Sequence, residues 1–359
     1  MDLSLGKGLQ KLSGPILITG HTGFKGAWLT LLLEKLGIEI VGLSLPDNPE
    51  SLYARLGREG VIPEVFGDIR NLSVVQHAFK EFKPSAVIHM AAQPLVLESF
   101  KIPIETFNTN VMGTVHVLDT GVRAGTVKGI VSVTTDKVYR NNESKKRFIE
   151  SDALAGKDPY SASKVGSEAA ISAWQQISMK LNGTPISAVR AGNVIGGGDM
   201  AENRLLPDLI RGFITKRETV IRNPESTRPW QHALDPLVGY IKTLEEQLRS
   251  GKDSSYNFGP IENSLAVRTV AEIASAAWGE HASISISSDK LTSKTESVTL
   301  DLNPGKAIEN LNWSPAWNQE EAIIATVEWW KKTVNDRIPE NISCNQELEF
   351  LVARNSIAK

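Results

Sequence analysis

A tyrosine and a lysine four positions apart, Tyr160 and Lys164, have types and spacing suited to acid–base chemistry. On a helix this spacing places both side chains on one face, with the ammonium near the phenol. A neighbouring cation stabilises the phenolate, so we expect the pKa of Tyr160 to be lowered and its hydroxyl to act as a general base. Tyr-x-x-x-Lys also occurs by chance in many helices, so its meaning depends on what lies beside it.

Three polar residues, Thr135, Asp136 and Lys137, end the strand predicted just before that helix, at residues 129–134. Ligands of a doubly wound sheet meet it at such strand ends. Thr135 can hydrogen-bond a substrate hydroxyl, Asp136 can protonate a leaving hydroxyl, and Lys137 can take a proton from carbon. A lysine base must be neutral, which requires burial or a nearby cation. The alternative is that Lys137 is an ordinary solvated lysine.

A glycine-rich turn, GHTGFKG at residues 20–26, lies between a predicted strand and a predicted helix. Glycines at such a turn let the backbone approach a pyrophosphate, and the helix N-terminus offers free N–H groups. The turn therefore predicts a dinucleotide site, although close strand–helix packing alone is the alternative. Its candidate cofactor-binding residues are Gly20, Thr22, Gly23, Phe24, Lys25 and Gly26.

Two acidic residues are candidate contacts of that dinucleotide, and the first of them bears on the choice between NAD and NADP. An acid after the second strand holds the ribose hydroxyls of NAD, whereas a basic residue favours NADP. Asp47 follows the strand and can reach the ribose, but Asp after Pro46 is equally well explained by a turn. The choice between NAD and NADP stays open at this point. Asp68, next to Ile69 after the third strand, can bond the adenine amine or simply end the strand.

The elements that position these residues alternate in type along the first half of the chain. Strands are predicted at residues 15–19, 38–43, 61–66, 86–90, 129–134 and 185–190, and helices at 24–36, 105–124 and 160–181. This alternation predicts an α/β fold with a Rossmann-type doubly wound parallel sheet over residues 14–190. Residues 191–335 predict a smaller mixed α/β substrate domain, from which segments can cross back. Residues 318–334 predict an amphipathic helix, and 336–359 form a C-terminal tail without an assigned role.

Composition excludes several other classes of protein. The net charge is −2 without a basic stripe, which argues against nucleic-acid binding. Apolar runs are too short to span a membrane, and the polar N-terminus lacks a signal-like segment. The single cysteine, Cys344, excludes an internal disulfide and a cysteine metal cluster. We expect a reduced, cytoplasmic enzyme that has no metal site.

Several long motifs occur in one order: GHTGFKGAWL (20–29), HMAAQPLV (89–96), TNVMGTVHVLD (109–119), TTDKVY (134–139), DPYSASK (158–164), RAGNVIGGGD (190–199) and RPWQH (228–232). Together they resemble the nucleotide-sugar 4,6-dehydratases of the extended short-chain dehydrogenase/reductase family, over roughly residues 15–330. The similarity is greatest to the branch that acts on CDP-glucose. The dTDP-glucose branch carries glutamate where this chain has Lys137.

The resemblance implies a reaction and a set of contacts. Tyr160, held by Lys164, would take the 4-hydroxyl proton while C4 is oxidised. Lys137 would then take the C5 proton as Asp136 protonates the departing C6 hydroxyl, and reduction at C6 would give a 4-keto-6-deoxy sugar, as in bacterial surface-polysaccharide (O-antigen) synthesis. The implied cofactor contacts add Asp68, Ile69, Ala91, Ala92, Tyr160 and Lys164. The implied substrate contacts are Gln93, Asn193, Arg204, Arg222 and Arg228.

The resemblance also implies association as a homodimer or a dimer of dimers, through the helices at 105–124 and 160–181. The first of these carries Val111, Val115, Val117, Leu118 and Val122, which is more apolar surface than one sheet face needs. Packing of these residues in the core alone is the alternative. A 4-epimerase is an alternative that keeps Tyr160 and Lys164 but needs no Asp136–Lys137 pair. A silent dinucleotide-binding sensor is another, and such proteins typically lose the tyrosine or the lysine. Leu97, Met200 and residues 141–149 depart from the pattern of the family near the predicted substrate site.

Overall fold

A computed structural model describes residues 5–142, 146–286 and 299–357, the last three of these by backbone only. Parts of three predicted segments therefore lie outside the described residues. These are positions 143–145 in the divergent segment 141–149, positions 287–298 in the substrate domain, and the last two residues of the C-terminal tail.

Within the described residues, seven strands form one sheet in which every neighbouring pair is parallel. Its order is β11-β6-β5-β4-β1-β2-β3. The bounds are β1 Ile16–Thr19, β2 Ile40–Ser44, β3 Glu64–Phe66, β4 Ala86–His89, β5 Ile130–Val133, β6 Ile186–Ala191 and β11 Ser255–Phe258. The order reverses between β1 and β4, and such a switch point opens a crevice at the carboxyl ends of the strands. The predicted doubly wound fold is confirmed.

Helices cover both faces of the sheet. The bounds are α1 Phe24–Lys35, α2 Leu52–Arg55, α3 Leu72–Phe82, α4 Val96–Lys101, α5 Pro103–Phe107, α6 Gly113–Arg123, α7 Pro159–Leu181, α8 Leu205–Thr215, α9 Leu234–Ser250, α10 Val267–Trp278, α11 Gly305–Leu311, α12 Gln319–Val334 and α13 Glu340–Ile357. The helix predicted at 105–124 is instead α5 and α6, joined by a π-helical turn at Asn108–Met112. Short 3₁₀ turns occur at Leu9–Lys11 and Asp136–Val138.

Two apolar cores lie on opposite faces of the sheet because successive side chains of a strand point to opposite sides. Ile16 and Ile18 of β1 belong to the core that also holds Trp28 of α1, whereas Leu17 packs with Leu118 of α6. Both strand faces are therefore apolar, as a sheet covered on both sides requires.

The second half of the chain adds small sheets to this frame. β7 Asn193–Ile195 pairs with β10 Trp230–His232, β8 Thr219–Ile221 with β13 Ile284–Ile286, and β9 Thr227–Arg228 with β12 Leu265–Ala266. Strand β11 returns to the main sheet beside β6, and α9 packs on it. The end of the chain contains α13, a helix that packs on α12. None of the helices in the described residues is long and apolar enough to cross a bilayer.

The packing of α9 on the sheet depends on Gly239. A Cβ there would lie 2.3 Å from Cε1 of Phe258, whose ring is fully buried. Alanine favours a helix over glycine by about 1 kcal/mol, but overpacking a core costs about 1–3 kcal/mol. We therefore expect Gly239→Ala to lower the free energy of unfolding, measured by urea denaturation. Gly239→Ala combined with Phe258→Leu should lose less than the sum of the two single changes, and strict additivity would contradict this packing.

Candidate active site

The glycine-rich turn follows β1 and begins α1. Gly20 has a φ of +76°, and a Cβ on it would lie 2.8 Å from the backbone of Ala91. A Cβ at Gly26 would lie 2.2 Å from the carbonyl oxygen of Gly20. Gly23 is the N-cap of α1 and has no side chain to occupy the N–H groups of the first turn. The turn is thus a bare backbone cradle at a helix N-terminus, which is suited to a pyrophosphate.

A buried hydrogen-bonded chain fixes the neighbouring end of β4. Thr19 Oγ1 lies 2.6 Å from His89 Nδ1, and His89 Nε2 lies 3.0 Å from Thr114 Oγ1. The backbone N–H groups of Met90 and Ala91 donate to Thr19 Oγ1. Burial, together with the nearby Lys164, lowers the pKa of His89 to about 3, so the ring is neutral. The backbone at Ala91 and Ala92, both predicted cofactor contacts, is held beside Gly20 in this way.

Gln93 follows at the same strand end, but its side chain is already engaged. Its Nε2 donates to Thr106 Oγ1 at 2.9 Å, and its Oε1 accepts from the backbone of Leu95 at 2.5 Å. The backbone N–H of Gln93 donates to Asn110 Oδ1. These bonds fix the loop that leads into α4, and a substrate contact of Gln93 stays a prediction.

The two acids considered for the dinucleotide differ in their surroundings. Asp47 accepts from Ser51 Oγ at 2.5 Å through Oδ1, while its Oδ2 is buried and without a hydrogen-bond partner among the described residues. Asp68 instead binds Arg70 through both oxygens, and this hydrogen bonding lowers the pKa of Asp68. The side chain of Ile69, next to it, is buried in the core, and its carbonyl oxygen lies 2.9 Å from His116 Nδ1. Asp47 therefore offers an open acceptor and Asp68 a paired one.

Helix α7 begins just before the catalytic candidate Tyr160. Asp158 caps it through a reciprocal pair of bonds with Ser161, and Pro159 occupies the first turn. Tyr160 and Lys164 then lie on one buried face, as the spacing predicts. Lys164 Nζ donates to the carbonyl oxygen of Val133 at 2.9 Å, which attaches the helix to the end of β5.

The predicted lowering of the Tyr160 pKa is wrong for this structure. Burial raises the pKa of Tyr160 to about 12, although a hydrogen bond with Thr135 and the charge of Arg204 act in the opposite direction. Burial also lowers the pKa of Lys164 to about 8, against the pull of Glu168. The ammonium is directed to the Val133 carbonyl, so the two groups share a dry environment that disfavours both charged forms.

Thr135, Asp136 and Lys137 lie at the end of β5, facing Tyr160. Thr135 Oγ1 donates to Asp136 Oδ1 at 3.0 Å, and Lys137 Nζ lies 3.6 Å from the same oxygen. Asp136 is almost fully buried, and its Oδ2 has no hydrogen-bond partner within the described part of the chain. Lys137 is partly exposed and donates to Asn193 Oδ1 at 3.5 Å. An acid and an amine thus lie side by side next to a tyrosine hydroxyl.

The sequence motifs did not single out a buried ion pair behind this site. Arg190 Nε and Nη2 donate to the two oxygens of Glu168, each at 2.8 Å. Thr134 Oγ1 donates to Glu168 Oε1 at 2.5 Å, and Arg190 Nη1 donates to the Tyr139 hydroxyl at 2.8 Å. Glu168 is four residues beyond Lys164, so the same helical spacing that identified Lys164 could have identified it.

Lys25, on the first turn of α1, comes close to the catalytic residues. Its Nζ donates to the hydroxyl of the fully buried Tyr240 at 3.3 Å. Burial, with the charges of Lys164 and Arg204, lowers the pKa of Lys25 to about 7, and Asp136 opposes the change. Burial raises the pKa of Tyr240, with a contribution from Tyr160. Tyr240 lies on α9, too distant in sequence from the motifs to be noticed there.

The predicted substrate residues are not equally placed. Asn193 contacts Lys137, and Arg204 pairs with Asp199 of the glycine-rich loop at 3.2 Å while influencing the pKa of Tyr160. Arg228 is buried, and its Nη1 donates to the carbonyl of Thr227. Arg222 is exposed beyond β8. Substrate contacts of these residues stay predictions. The described residues contain no cluster of His, Cys, Asp or Glu suited to a metal ion.

The Arg190–Glu168 pair yields a prediction about stability. Removing one partner of a buried pair leaves an uncompensated charge and costs about 3–5 kcal/mol. We expect Glu168→Gln to lower the free energy of unfolding by that order in urea denaturation. It should also lower the pKa of Lys164 further, because Glu168 raises it, as followed by ¹³C NMR of lysine ε-carbons.

The matched control is the pair Arg249–Glu246 on α9, in which the arginine side chain is 73% exposed and its charge is therefore solvated. Exposed pairs contribute about 0–1 kcal/mol, so Glu246→Gln should change stability little. Equal losses in the two variants would contradict the role given to Glu168.

Comparison with known proteins agrees with this geometry. A CDP-glucose 4,6-dehydratase of Salmonella typhimurium is 40% identical over 326 residues, which cover 88% of this chain and 90% of that protein. A UDP-glucose 4-epimerase of Halalkalibacterium halodurans is 26% identical over 333 residues, covering 88% and 95%.

Solved structures share the fold. A dTDP-glucose 4,6-dehydratase from Streptomyces venezuelae, solved with NAD bound, superposes with a TM-score of 0.77 at 24% identity, covering 90% of this chain and 98% of that chain. A UDP-glucose 4-epimerase of Thermus thermophilus, in complex with NAD, gives 0.76 at 23% identity, covering 89% and 100%. The model of the NAD dependent epimerase/dehydratase family matches residues 16–259. This chain belongs to the NAD dependent epimerase/dehydratase family.

Proposed function

We propose that the protein is a CDP-glucose 4,6-dehydratase that uses NAD and forms CDP-4-keto-6-deoxy-glucose and water. The observation that carries this proposal is the placement of Asp136 and Lys137 side by side next to Tyr160. An elimination needs an acid for the leaving hydroxyl and a base for the carbon-bound proton, in addition to the base that acts at the 4-hydroxyl. The relative that is 40% identical carries the same activity in its name, which supports the choice of nucleotide and sugar.

The residues present fit a bound NAD. The bare backbone of the glycine turn suits the pyrophosphate. The Oδ2 of Asp47, buried and without a hydrogen-bond partner in the described residues, is the acceptor that we assign to the adenosine ribose hydroxyls. A carboxylate in that place would repel the 2′-phosphate of NADP, so we propose NAD. When bound at these residues, NAD would supply the oxidant for sugar C4 and the hydride that is returned to C6.

The residues of the chain perform the proton transfers. Tyr160 takes the proton of the 4-hydroxyl, and Thr135 orients that hydroxyl. The resulting 4-keto group acidifies the C5 hydrogen, which passes as a proton to Lys137, while Asp136 gives its proton to the C6 hydroxyl and water leaves. Lys137 returns a proton to C5 when C6 is reduced, which completes the 4-keto-6-deoxy sugar. Burial raises the pKa of Tyr160 to about 12 and lowers that of Lys164 to about 8. Tyr160 must therefore lose its own proton before it can accept that of the 4-hydroxyl.

A 4-epimerase is the second candidate, since a 26% identical relative bears that name. Epimerisation needs Tyr160 and Lys164 but has no elimination step that requires Asp136 and Lys137. The paired acid and amine at the end of β5 therefore favour the dehydratase.

Incubation of the purified protein with CDP-glucose and NAD, followed by mass spectrometry, tests the proposal. We expect loss of water from the sugar nucleotide without net formation of NADH, because the cofactor is regenerated in each cycle. A product of unchanged mass would identify an epimerase. If CDP-glucose is unchanged, UDP-, dTDP- and GDP-hexoses are assayed next. Absence of turnover with all of them would contradict the proposal that the protein is an enzyme acting on sugar nucleotides.

Lys137→Ala tests the step that separates the two reactions. Loss of a general base costs about 10²–10⁴-fold in rate, so dehydration should fall by that order while NAD still binds. Lys128→Ala, at an exposed lysine before β5, is the control and should keep full activity. An active Lys137→Ala enzyme would remove Lys137 from the mechanism.

We also propose that the protein is a cytoplasmic homodimer. Val117, Leu118 and Val122, three of the apolar residues noted in the helix predicted at 105–124, are buried in the sheet core. A different apolar surface lies along α4, α5 and the π-helical turn, and its exposed members are Leu97, Phe100, Ile104, Phe107 and Met112. Several large apolar side chains exposed on neighbouring turns of one segment are typical of protein–protein contacts.

Ile104→Glu tests the dimer, since 73% of Ile104 is exposed in the single chain. A charge buried in an apolar contact is costly, so we expect the variant to be monomeric in sedimentation velocity at micromolar concentration. Ile261→Glu, at an exposed isoleucine elsewhere, should stay dimeric. A monomeric wild-type protein, or a dimeric Ile104→Glu variant, would contradict this interface.

A further inference from the structure

Helix α13 joins the parts of the molecule that carry the two halves of the site. Its Cys344, Leu348 and Leu351 are buried in the larger apolar core. Towards the second half of the chain, the Phe350 ring lies 4.8 Å from that of Trp317. Towards the dinucleotide-binding part, Asn345 Oδ1 accepts from Lys35 of α1 at 2.7 Å. The helix is therefore a bridge and not only an extension of α12.

Arg55, the last residue of α2, forms the contact between α13 and the dinucleotide-binding part. Its Nε donates to both oxygens of Glu340, the first residue of α13, at 2.9 and 3.1 Å. Its Nη1 donates to the carbonyl of Glu50, and its Nη2 donates to the carbonyl of Gly198 at 3.4 Å. Both Arg55 and Glu340 are about three-quarters shielded from solvent. One guanidinium thus connects α13, the loop after β2, and the glycine-rich loop after β7.

The loop after β2 carries Asp47, the acid with the open oxygen. Ser51 both donates to Asp47 Oδ1 and caps α2 by accepting from the backbone of Ala54. On the other side, Leu52 packs so closely on Gly198 that a Cβ there would lie 2.6 Å from it. Within the described residues, Arg55 supplies the polar link between this loop and α13, so its ion pair with Glu340 constrains where Asp47 stands.

We propose that Glu340 and Arg55 are positioning residues that hold the loop of Asp47 in its ribose-binding conformation. Helix α13 thereby sets the affinity for the adenosine half of the dinucleotide, without touching the reacting atoms. This inference rests on the proposed use of NAD. When a competent conformation is only partly populated, the apparent dissociation constant rises by the inverse of that population. Loss of the ion pair should therefore weaken binding and leave the chemical step at saturating NAD unchanged.

Isothermal titration of the full-length protein with NAD and with ADP-ribose tests the proposal. For Glu340→Ala we expect the dissociation constants of both ligands to rise by a similar factor of about five, because ADP-ribose carries the same adenosine ribose. The kcat at saturating NAD should match that of the wild type. Glu340→Gln keeps the shape of the side chain and should show the same direction of change if the charge is what holds Arg55.

Arg354→Ala is the matched control, since Arg354 joins α13 to Glu321 of α12 far from the Asp47 loop. It should leave both dissociation constants unchanged. Arg55→Ala combined with Glu340→Ala should be no worse than Arg55→Ala alone, because both remove one interaction.

The outcomes separate this inference from the proposed function. Unchanged affinities in Glu340→Ala, or equal losses in Glu340→Ala and Arg354→Ala, would overturn the positioning role. A wild-type protein that binds NAD without converting CDP-glucose would refute the proposed reaction, and the ratio of dissociation constants would still decide the role of Glu340. A wild-type protein that binds neither ligand would overturn both.

Discussion

The buried pair of Arg190 and Glu168 is the interaction on which the geometry of the site depends. Burying two charges is costly unless the geometry is good and the remaining donors and acceptors are satisfied. Here the pair is bidentate, Thr134 also donates to Glu168, and Arg190 also donates to the Tyr139 hydroxyl. Because Glu168 lies on α7, Arg190 on β6 and Thr134 at the end of β5, the network fixes the helix of Tyr160 against the strand end that carries Asp136.

The same burial controls the charges of the candidate catalytic groups. Lys25 and Lys164 have lowered pKa values of about 7 and 8, and Tyr160 has a raised one of about 12. A dry site disfavours every isolated charge, and the two lysines also repel each other. Such a site disfavours the charged form of each group, so small changes of local charge can move protons.

Contacts between distant parts of the chain complete the site. Tyr240 reaches Lys25 from α9, and α13 reaches Arg55 from the far end of the chain. The glycine-rich loop after β7 is packed between Leu52 of α2 and the ring of Trp329 of α12, so its position depends on both helices. The candidate cofactor and substrate residues therefore share one structural support.

The sequence by itself determined the parallel sheet, its order of elements, the glycine turn and the shared face of Tyr160 and Lys164, since these follow from local periodicity and spacing. It missed the π-helical turn that interrupts the helix predicted at 105–124, and it left open whether Val117 and Leu118 pack in an interface or in the core, where the structure places them. It also gave the wrong direction for the pKa of Tyr160. Only the tertiary structure decided these matters, because burial, the partner of each ammonium and the meeting of Glu340 with Arg55 depend on residues far apart in the chain.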